Sequence, residues 1–495
     1  MKYIIVIGNI KNKISNFQNL FNIPTKANAD ISEEELCKLL NTNLDALKAF
    51  EEGYEHYSES QGLSDNLFRI NSRQVAEIKE GMLTDVPAEL QDVVEKIVSD
   101  LVSQTIMYSY DGKRSIVFDY RRDLSQSRRV TAEEIQALPK NMQPDLTGSM
   151  IKRDIPGSGI SLVAMWDEYQ KANNPNLKKA IYNHFRQGLD SLDLDPITYE
   201  IIDQNPISMG FWLPRIVDAV SSEGFFKIPA TKIIKVPISI LQLTRLDYMS
   251  LSRTTLDIVD EYCYRVFGLQ TDKDYFIKTG TYSSKFDFRN ARVSGAKEIK
   301  ELGEYLLFIH WQALQMAHYD LSGRNQPVIY GVSTTTEWVV RDFISDVENN
   351  LTIYHGLPLH TEYRAFVDFD TNEVLGIHPY WDAKTVKRHF EKTAPYDPDA
   401  FHDHITYSAN EEKLSSRYEA NKDAVIKHLQ TILPNIDLEG QWSVDIMQNG
   451  KDFWLIDMAS AEHSAYYDEV VPPSLRRPSE EAWLPDLGIL SKNDA

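Results

Sequence analysis

Residues 442–457 read WSVDIMQNGKDFWLID: two apolar runs around Asn449-Gly450. Asn-Gly between two such runs is a strong hairpin signal. Each run carries one acid, Asp445 and Asp457, where alternation calls for an apolar residue. A carboxylate on a buried strand is costly unless a positive group sits beside it. Two carboxylates on adjacent strands are suited to hold a hard cation such as Mg2+. The rest of the chain then has to supply what that cation would serve.

Upstream of this hairpin the pattern predicts a helix over 410–433 and strands over 374–380, 361–369 and 337–344. Before them come helices over 294–317 and 252–267, with a short apolar strand, 275–278, between the two. A strand over 229–236 and a helix start at 211–220 complete this part. The first 160 residues read differently. We expect a strand over 1–10, helices over 31–60 and 86–108, and a hairpin over 108–120 around Asp111-Gly112. The polar stretch 121–160, with Pro139, Pro144, Pro156, Gly148, Gly157 and Gly159, reads as a linker or long loop, and 161–193 as helical. Hairpins alternate with helices without strict βαβ order, so the fold class is α+β. The expected units are 1–160 (an α/β or mostly helical extension), 161–270 and 271–495.

The chain has 495 residues, 42% hydrophobic and 25% charged, ordinary for a globular protein of two or three domains. Its 73 acids against 52 bases give a net charge of -21. That argues against duplex nucleic acid or an anionic membrane as the main partner. A basic cluster at Arg121, Arg122, Arg128 and Arg129 reads as a solvated face. Cys37 and Cys263 are too far apart in sequence and too unlike in context for a disulfide framework or a thiolate metal site, which fits a reducing cytoplasm. No apolar run has the roughly 18 residues that a bilayer requires. The start, MKYIIVIG, is too short for a secretory signal.

Several side chains are poised for phosphate. Lys278 ends the strand YFIK and is followed by the small, hydroxyl-rich loop TGTYSSK, which ends at Lys285. A strand-end lysine calls for an anion, and a loop of small residues can close backbone N–H groups over a polyphosphate. Arg341 interrupts the apolar strand EWVVRDFI, whose backbone suits contact with a nucleobase. In TEYRAFVDF, Glu362, Arg364 and Phe366 share a face. A guanidinium there asks for a carboxylate or phosphate, and a structural pair with Glu362 is the plainer reading. His402, Asp403 and His404 fit no zinc spacing. Walker, dinucleotide and nucleophile-elbow patterns are absent.

Taken in order, these pieces resemble the ATP-grasp superfamily over roughly residues 205–470. The nearest likenesses are to the eukaryotic cell-division-cycle branch that assembles translation initiation factor two and to the bacterial and phage branch named for its arginine and paired lysines. The resemblance implies a two-lobed core with antiparallel sheets clasping ATP. It places Lys278 and Lys285 on the phosphates, with Lys235, or else Lys232, as the lysine of the preceding lobe. Arg341 and Arg364 would face the γ-phosphate or an acyl-phosphate, Asp445 and Asp457 would hold Mg2+, and backbone at Val339, Val340 and Phe343 would hold adenine. The implied activity is ligation of a small-molecule or peptide carboxylate to an amine through an acyl-phosphate. The alternatives are an ATP-binding assembly factor that closes on a protein partner, reached through the N-terminal region, and a phosphotransferase. The family pattern places an Asn two residues after the second acid; here Ala459 stands there, which abolishes the second metal site or moves it to Ser460 or Glu462.

Overall fold

The computed structural model describes residues 98–99, 101–119, 160–161, 173–176, 192–193, 199, 202–203, 205–245, 248–251, 253–321, 335–393 and 398–477. The strand expected over 1–10, the helix over 31–60 and most of 121–200 lie outside them. The described part is α+β, with one antiparallel and one mixed sheet of more than two strands.

The hairpin β1 (Ile106–Tyr110) and β2 (Ser115–Asp119) turns at Gly112, whose φ of 92° suits glycine. The expected helix over 86–108 therefore ends early: helical residues reach 102, and Ile106 already begins a strand. The two-residue strands β3 (Ile160–Ser161) and β4 (Leu192–Asp193) pair with each other. Next come β5 (Phe226–Lys227), β6 (Thr231–Lys235), β7 (Tyr275–Thr279), β8 (Arg292–Val293) and β9 (Glu337–Asp342). After the small hairpin β10 (Thr352–Ile353) and β11 (Leu357–Pro358) follow β12 (Thr361–Asp368), β13 (Glu373–Pro379), β14 (Gln441–Asn449) and β15 (Asp452–Ser460). The six-stranded sheet has the order β2-β1-β6-β9-β7-β8, and the five-stranded sheet the order β13-β12-β14-β15-β5.

Two features of this topology differ from the sequence reading. The hairpin at 106–119 falls inside the expected 1–160 unit, yet β1 pairs antiparallel with β6, so it belongs to the six-stranded sheet. The short β5 joins the five-stranded sheet parallel to β15, and the chain then crosses to β6 through Ile228, Pro229 and Ala230 alone.

Helix α1 (Met209–Glu223) buries Met209, Trp212, Leu213, Ile216, Val217 and Val220, an apolar stripe at helical spacing. Its stripe packs in one core with Ile233 and Val339 of the six-stranded sheet and Tyr363, Ala365, Val444 and Ile446 of the five-stranded sheet. Gly224 ends the helix in the left-handed region, at φ 82°. Helices α2 (Arg253–Phe267) and α3 (Leu302–Leu321) follow, and they touch closely at Gly303, where a Cβ would lie 2.4 Å from the Val259 carbonyl oxygen. The helix expected over 294–317 is thus a short turn, Gly295–Lys300, and then α3. Helices α4 (Ala383–Thr393) and α5 (Pro398–Ile432) lie at the other end, and Tyr418, Val425 and Leu429 of α5 complete the core against the five-stranded sheet.

In β12, Tyr363, Ala365 and Val367 enter that core. The alternate residues Glu362, Arg364 and Phe366 turn to the opposite face, as period two requires. That face is where the two sheets approach each other and where the polar site forms.

Candidate functional site

The hairpin of β14 and β15 pairs Asn449 with Asp452, so its loop is Gly450-Lys451, one residue later than expected. Gly450 takes the positive φ, 61°, that such a loop demands. Asn449 is thereby freed for other bonds. Its carboxamide accepts from the Val347 N–H at 3.1 Å and donates to the Ser345 carbonyl at 2.8 Å, which holds the segment after β9 against the hairpin.

Register places the acids in one row. Arg364 lies opposite Asp445, and Asp445 opposite Asp457. The pairing of β14 with β15 slips just there: Asp445 faces Asp457 but Ile446 faces Leu455, so Ile456 is an extra residue. This bulge breaks alternation, and Ile456 and Asp457 both line the cleft. The carbonyl of Ile456 accepts from Arg341 Nη1.

Cations of the six-stranded sheet meet this row. Lys278 Nζ lies 2.7 Å from Asp457 Oδ2; the lysine is 2% exposed and the aspartate 38%. Arg341 Nε donates to Thr231 Oγ1 at 3.1 Å, while its Nη2 is buried with no hydrogen-bond partner. Arg364 grips Asp445 in bidentate fashion at 2.8 and 2.7 Å. Lys285 donates to the Tyr380 hydroxyl, and the Tyr380 ring lies 4.1 Å from Lys285 Nζ and 4.7 Å from the Arg364 guanidinium. One aromatic ring thus lies within cation–π distance of two cations.

Burial sets the protonation chemistry. It pulls the Lys278 pKa down, against the opposing charge of Asp457. It brings Arg341 down to about 10, again with Asp457 opposing. For Lys285 burial acts downward too, but Tyr380, Glu362 and Asp445 outweigh it and the net shift is upward. Arg364 is likewise held above its ordinary value because Asp445 outweighs burial. Burial pushes the Glu362 carboxyl up to about 7; Lys285 opposes this and Asp445 adds to it.

The raised pKa of Glu362 makes stability depend on pH. Its folded pKa is raised above the unfolded value, so the folded state binds the extra proton between pH ~4.5 and ~7. Stability should therefore fall as pH rises through that window, by about 2–4 kcal/mol in all, and level off above it. Glu362→Gln should flatten that part of the curve and be the more stable form at pH 8. Urea midpoints from pH 4.5 to 8 read this directly; parallel curves for both proteins would refute it.

A cleft opens between the sheets. Lys278, Lys285, Arg341, Glu362, Asp445 and Asp457 line its polar part, and Phe276, Phe288, Phe343, Ile344, Leu357 and Pro358 are among its apolar walls. Among the residues expected from sequence, the structure thus brings Lys278, Lys285, Arg341, Phe343, Asp445 and Asp457 to one cleft, with Arg364 bound to Asp445 at its edge. It places four others elsewhere. Val339 and Val340 sit mid-strand in β9 between β6 and β7, so the sheet ladder occupies their backbone and they do not face a base. The cleft instead meets the chain from Arg341 to Ile344. Lys235 pairs with Glu337 at 2.8 Å and Asp203 at 3.0 Å, and those acids outweigh burial to hold its pKa up. It lies four residues from Thr231, which contacts Arg341, or about 13 Å along the strand. Lys232 points to the other face and donates to the Phe267 carbonyl.

Sequence reasoning missed Tyr380, the Ile456 carbonyl and the role of Glu362. A single residue inserted in a strand leaves little trace in the sequence, and Tyr380 is unremarkable at a strand end. Glu362 was read as a plain partner for Arg364, but register gives Arg364 to Asp445.

The donor set fits a metal ion only in part. Asp445 and Asp457 are adjacent, but each is already paired with a cation. Among the described residues no three Asp, Glu, His or Cys groups cluster as a metal site. Ser460 lies on the buried side of β15, and Glu462 pairs with His463 at 3.2 Å. Asp403 accepts from the Tyr354 N–H at 2.8 Å, and His404 stacks on Phe390.

No protein-family model and no curated protein matches the chain. Two solved structures similar to it are C-terminally truncated Cdc123 from Schizosaccharomyces pombe and Cdc123 from the same organism. The first is 12% identical with a TM-score of 0.32, covering 57% of this chain and 95% of that one. The second is 12% identical with a TM-score of 0.30, covering 56% and 94%. Superpositions this loose fix neither the fold family nor the function. Among the described residues no helix is long and apolar enough to cross a membrane.

Proposed function

We propose that the cleft binds ATP, in an arrangement of ATP-grasp type, and that binding sets how the two sheets close on a protein partner. The observation that carries this is Arg341 Nη2, a buried guanidinium donor with no partner, on the wall that also carries Lys278 and Lys285. Such a donor costs about 1–3 kcal/mol until an acceptor arrives. Phosphate oxygens are the acceptors a guanidinium and two ammonium groups suit best. The aromatic and aliphatic end of the same cleft suits a base.

Lys278 would exchange Asp457 for phosphate, and Asp457 would then be free to hold Mg2+ on those phosphates. Bound Mg2+ would offset phosphate charge. A single protein carboxylate is enough, because Mg2+ takes much of its shell from water and phosphate. Asp445 stays with Arg364 and positions it under Tyr380. Two observations favour binding over turnover: both acids are already neutralised by cations, and Ala459 offers a methyl group where a third ligand would stand.

The second reading is the carboxylate–amine ligase. Glu362 favours it, as a cleft carboxyl with a pKa near neutrality can take a proton from an amine. Calorimetric titration with Mg-ATP, Mg-GTP and Mg-AMP tests the binding itself. We expect saturable binding of one Mg-ATP per chain and far weaker binding of Mg-AMP; absence of heat with all three rejects the proposal. Steady ADP release with acid and amine pairs would select the ligase.

A further inference from the structure

A second pocket lies beside the first cleft, between the start of β12, the segment after β13, and α5. Glu362 lines both cavities. Three more carboxylates line the second one: Asp382, Glu411 and Glu419. No Lys, Arg or His is among its lining residues. Glu411 and Glu419 have outlying partners, Lys387 at 2.6 Å and Lys422 at 2.5 Å. The Asp382 carboxylate accepts the Thr385 backbone N–H at 2.8 Å and has no ion-pair partner among the described residues. The field is felt by Tyr407, whose hydroxyl pKa is raised by burial and then by Glu411 and Asp382.

An independent observation points to a ligand here. Thr361 lies on the face of β12 that looks toward α5, as Tyr363 does, and it lines the pocket. Its Oγ1 is buried without a hydrogen-bond partner, in a residue 2% exposed. Buried hydroxyls rarely stay unpaired. The walls between the acids are Trp381, Tyr407, Leu414 and Tyr418, aromatic and aliphatic surface suited to an alkyl stem and to cation–π contact. A bare metal ion is the poorer occupant, because no three ligating groups cluster among the described residues.

We propose that this pocket binds an organic cation, a primary ammonium or guanidinium on an alkyl stem, with Glu362 as the wall shared with the nucleotide cleft. The acids select the charge, the aromatic walls take the stem, and Thr361 Oγ1 accepts one N–H. Cation binding here requires no nucleotide in the neighbouring cleft.

Titration calorimetry with agmatine and 1,5-diaminopentane, in the absence of nucleotide, tests it on the full chain. We expect one saturable site per chain, with no binding of the uncharged 1-pentanol. Ser415→Arg, at an exposed position of α5 on the pocket rim, should place a tethered guanidinium in the pocket and weaken agmatine by at least about tenfold, or ~1.4 kcal/mol. Glu411→Gln should weaken it in the same direction. Mg-ATP titrated into Ser415→Arg should behave as in the parent, which separates this pocket from the nucleotide cleft. No saturable heat with either amine up to about 10 mM, or equal agmatine affinity in Ser415→Arg and the parent, would overturn the proposal.

Discussion

Asp445→Ala should lower the free energy of unfolding by about 3–5 kcal/mol, a large part of what a typical domain has. The reason is what remains behind. Arg364 is 13% exposed and its two bonds to Asp445 satisfy Nε and Nη2. Without the carboxylate, a largely buried guanidinium keeps the ring of Tyr380 and the more distant charge of Asp457, with no bidentate partner among the described residues. A cation–π contact of ~1–2 kcal/mol does not replace a bidentate pair. Urea unfolding with an unchanged slope reads the loss as a lower midpoint. The double variant Asp445→Leu with Arg364→Met should recover most of it, since removing both members of a buried pair is often close to neutral. A single-variant loss below about 1 kcal/mol would mean that Arg364 finds water or another carboxylate.

Lys278→Met should weaken Mg-ATP by about 100-fold, or ~2.7 kcal/mol, the size of a lost charge-assisted contact with phosphate. The same change should move the unfolding free energy little. Lys278 is buried and Asp457 is more than a third exposed, so water can solvate the carboxylate once the ammonium has gone. Methionine fills most of the space left by the lysine stem. The contrast between a large binding effect and a small stability effect assigns Lys278 to ligand rather than to structure. Calorimetry on the variant beside its urea curve measures both; unchanged Mg-ATP affinity removes Lys278 from the phosphate site.

The sequence made the strands legible where alternation was clean. In 361–369 the period of two separated the core residues Tyr363, Ala365 and Val367 from the site residues Glu362 and Arg364, and the same logic exposed Asp445. Lys278 was legible because a strand-end lysine in an apolar run needs an anion. The failures share a cause, which is that pairing partners are set by register between distant segments. Lys235 looked like a phosphate ligand until Glu337, about a hundred residues later, came to lie opposite it. Val339 and Val340 looked like a base-binding edge, but two flanking strands made β9 an interior one. The hairpin at 106–119 looked remote because its partner β6 is far along the chain.

The crossing from β5 to β6 has a consequence for motion. Three residues, Ile228 to Ala230, join the two sheets there, and they span at most about 10 Å when extended. At that point so short a connection keeps the sheets from sliding apart and leaves a pivot as the simplest relative motion. Pro229, whose ring limits its own φ, sits at the pivot and also lines the cleft. The crossing from β9 to β12 lines the cleft as well, through Phe343, Ile344, Leu357 and Pro358. The apolar end of the cleft is therefore built on the hinge itself. Under the proposed function, a flat ring bound there would act as a wedge, and its thickness would set the angle at which the cation-bearing sheet meets the acid-bearing one.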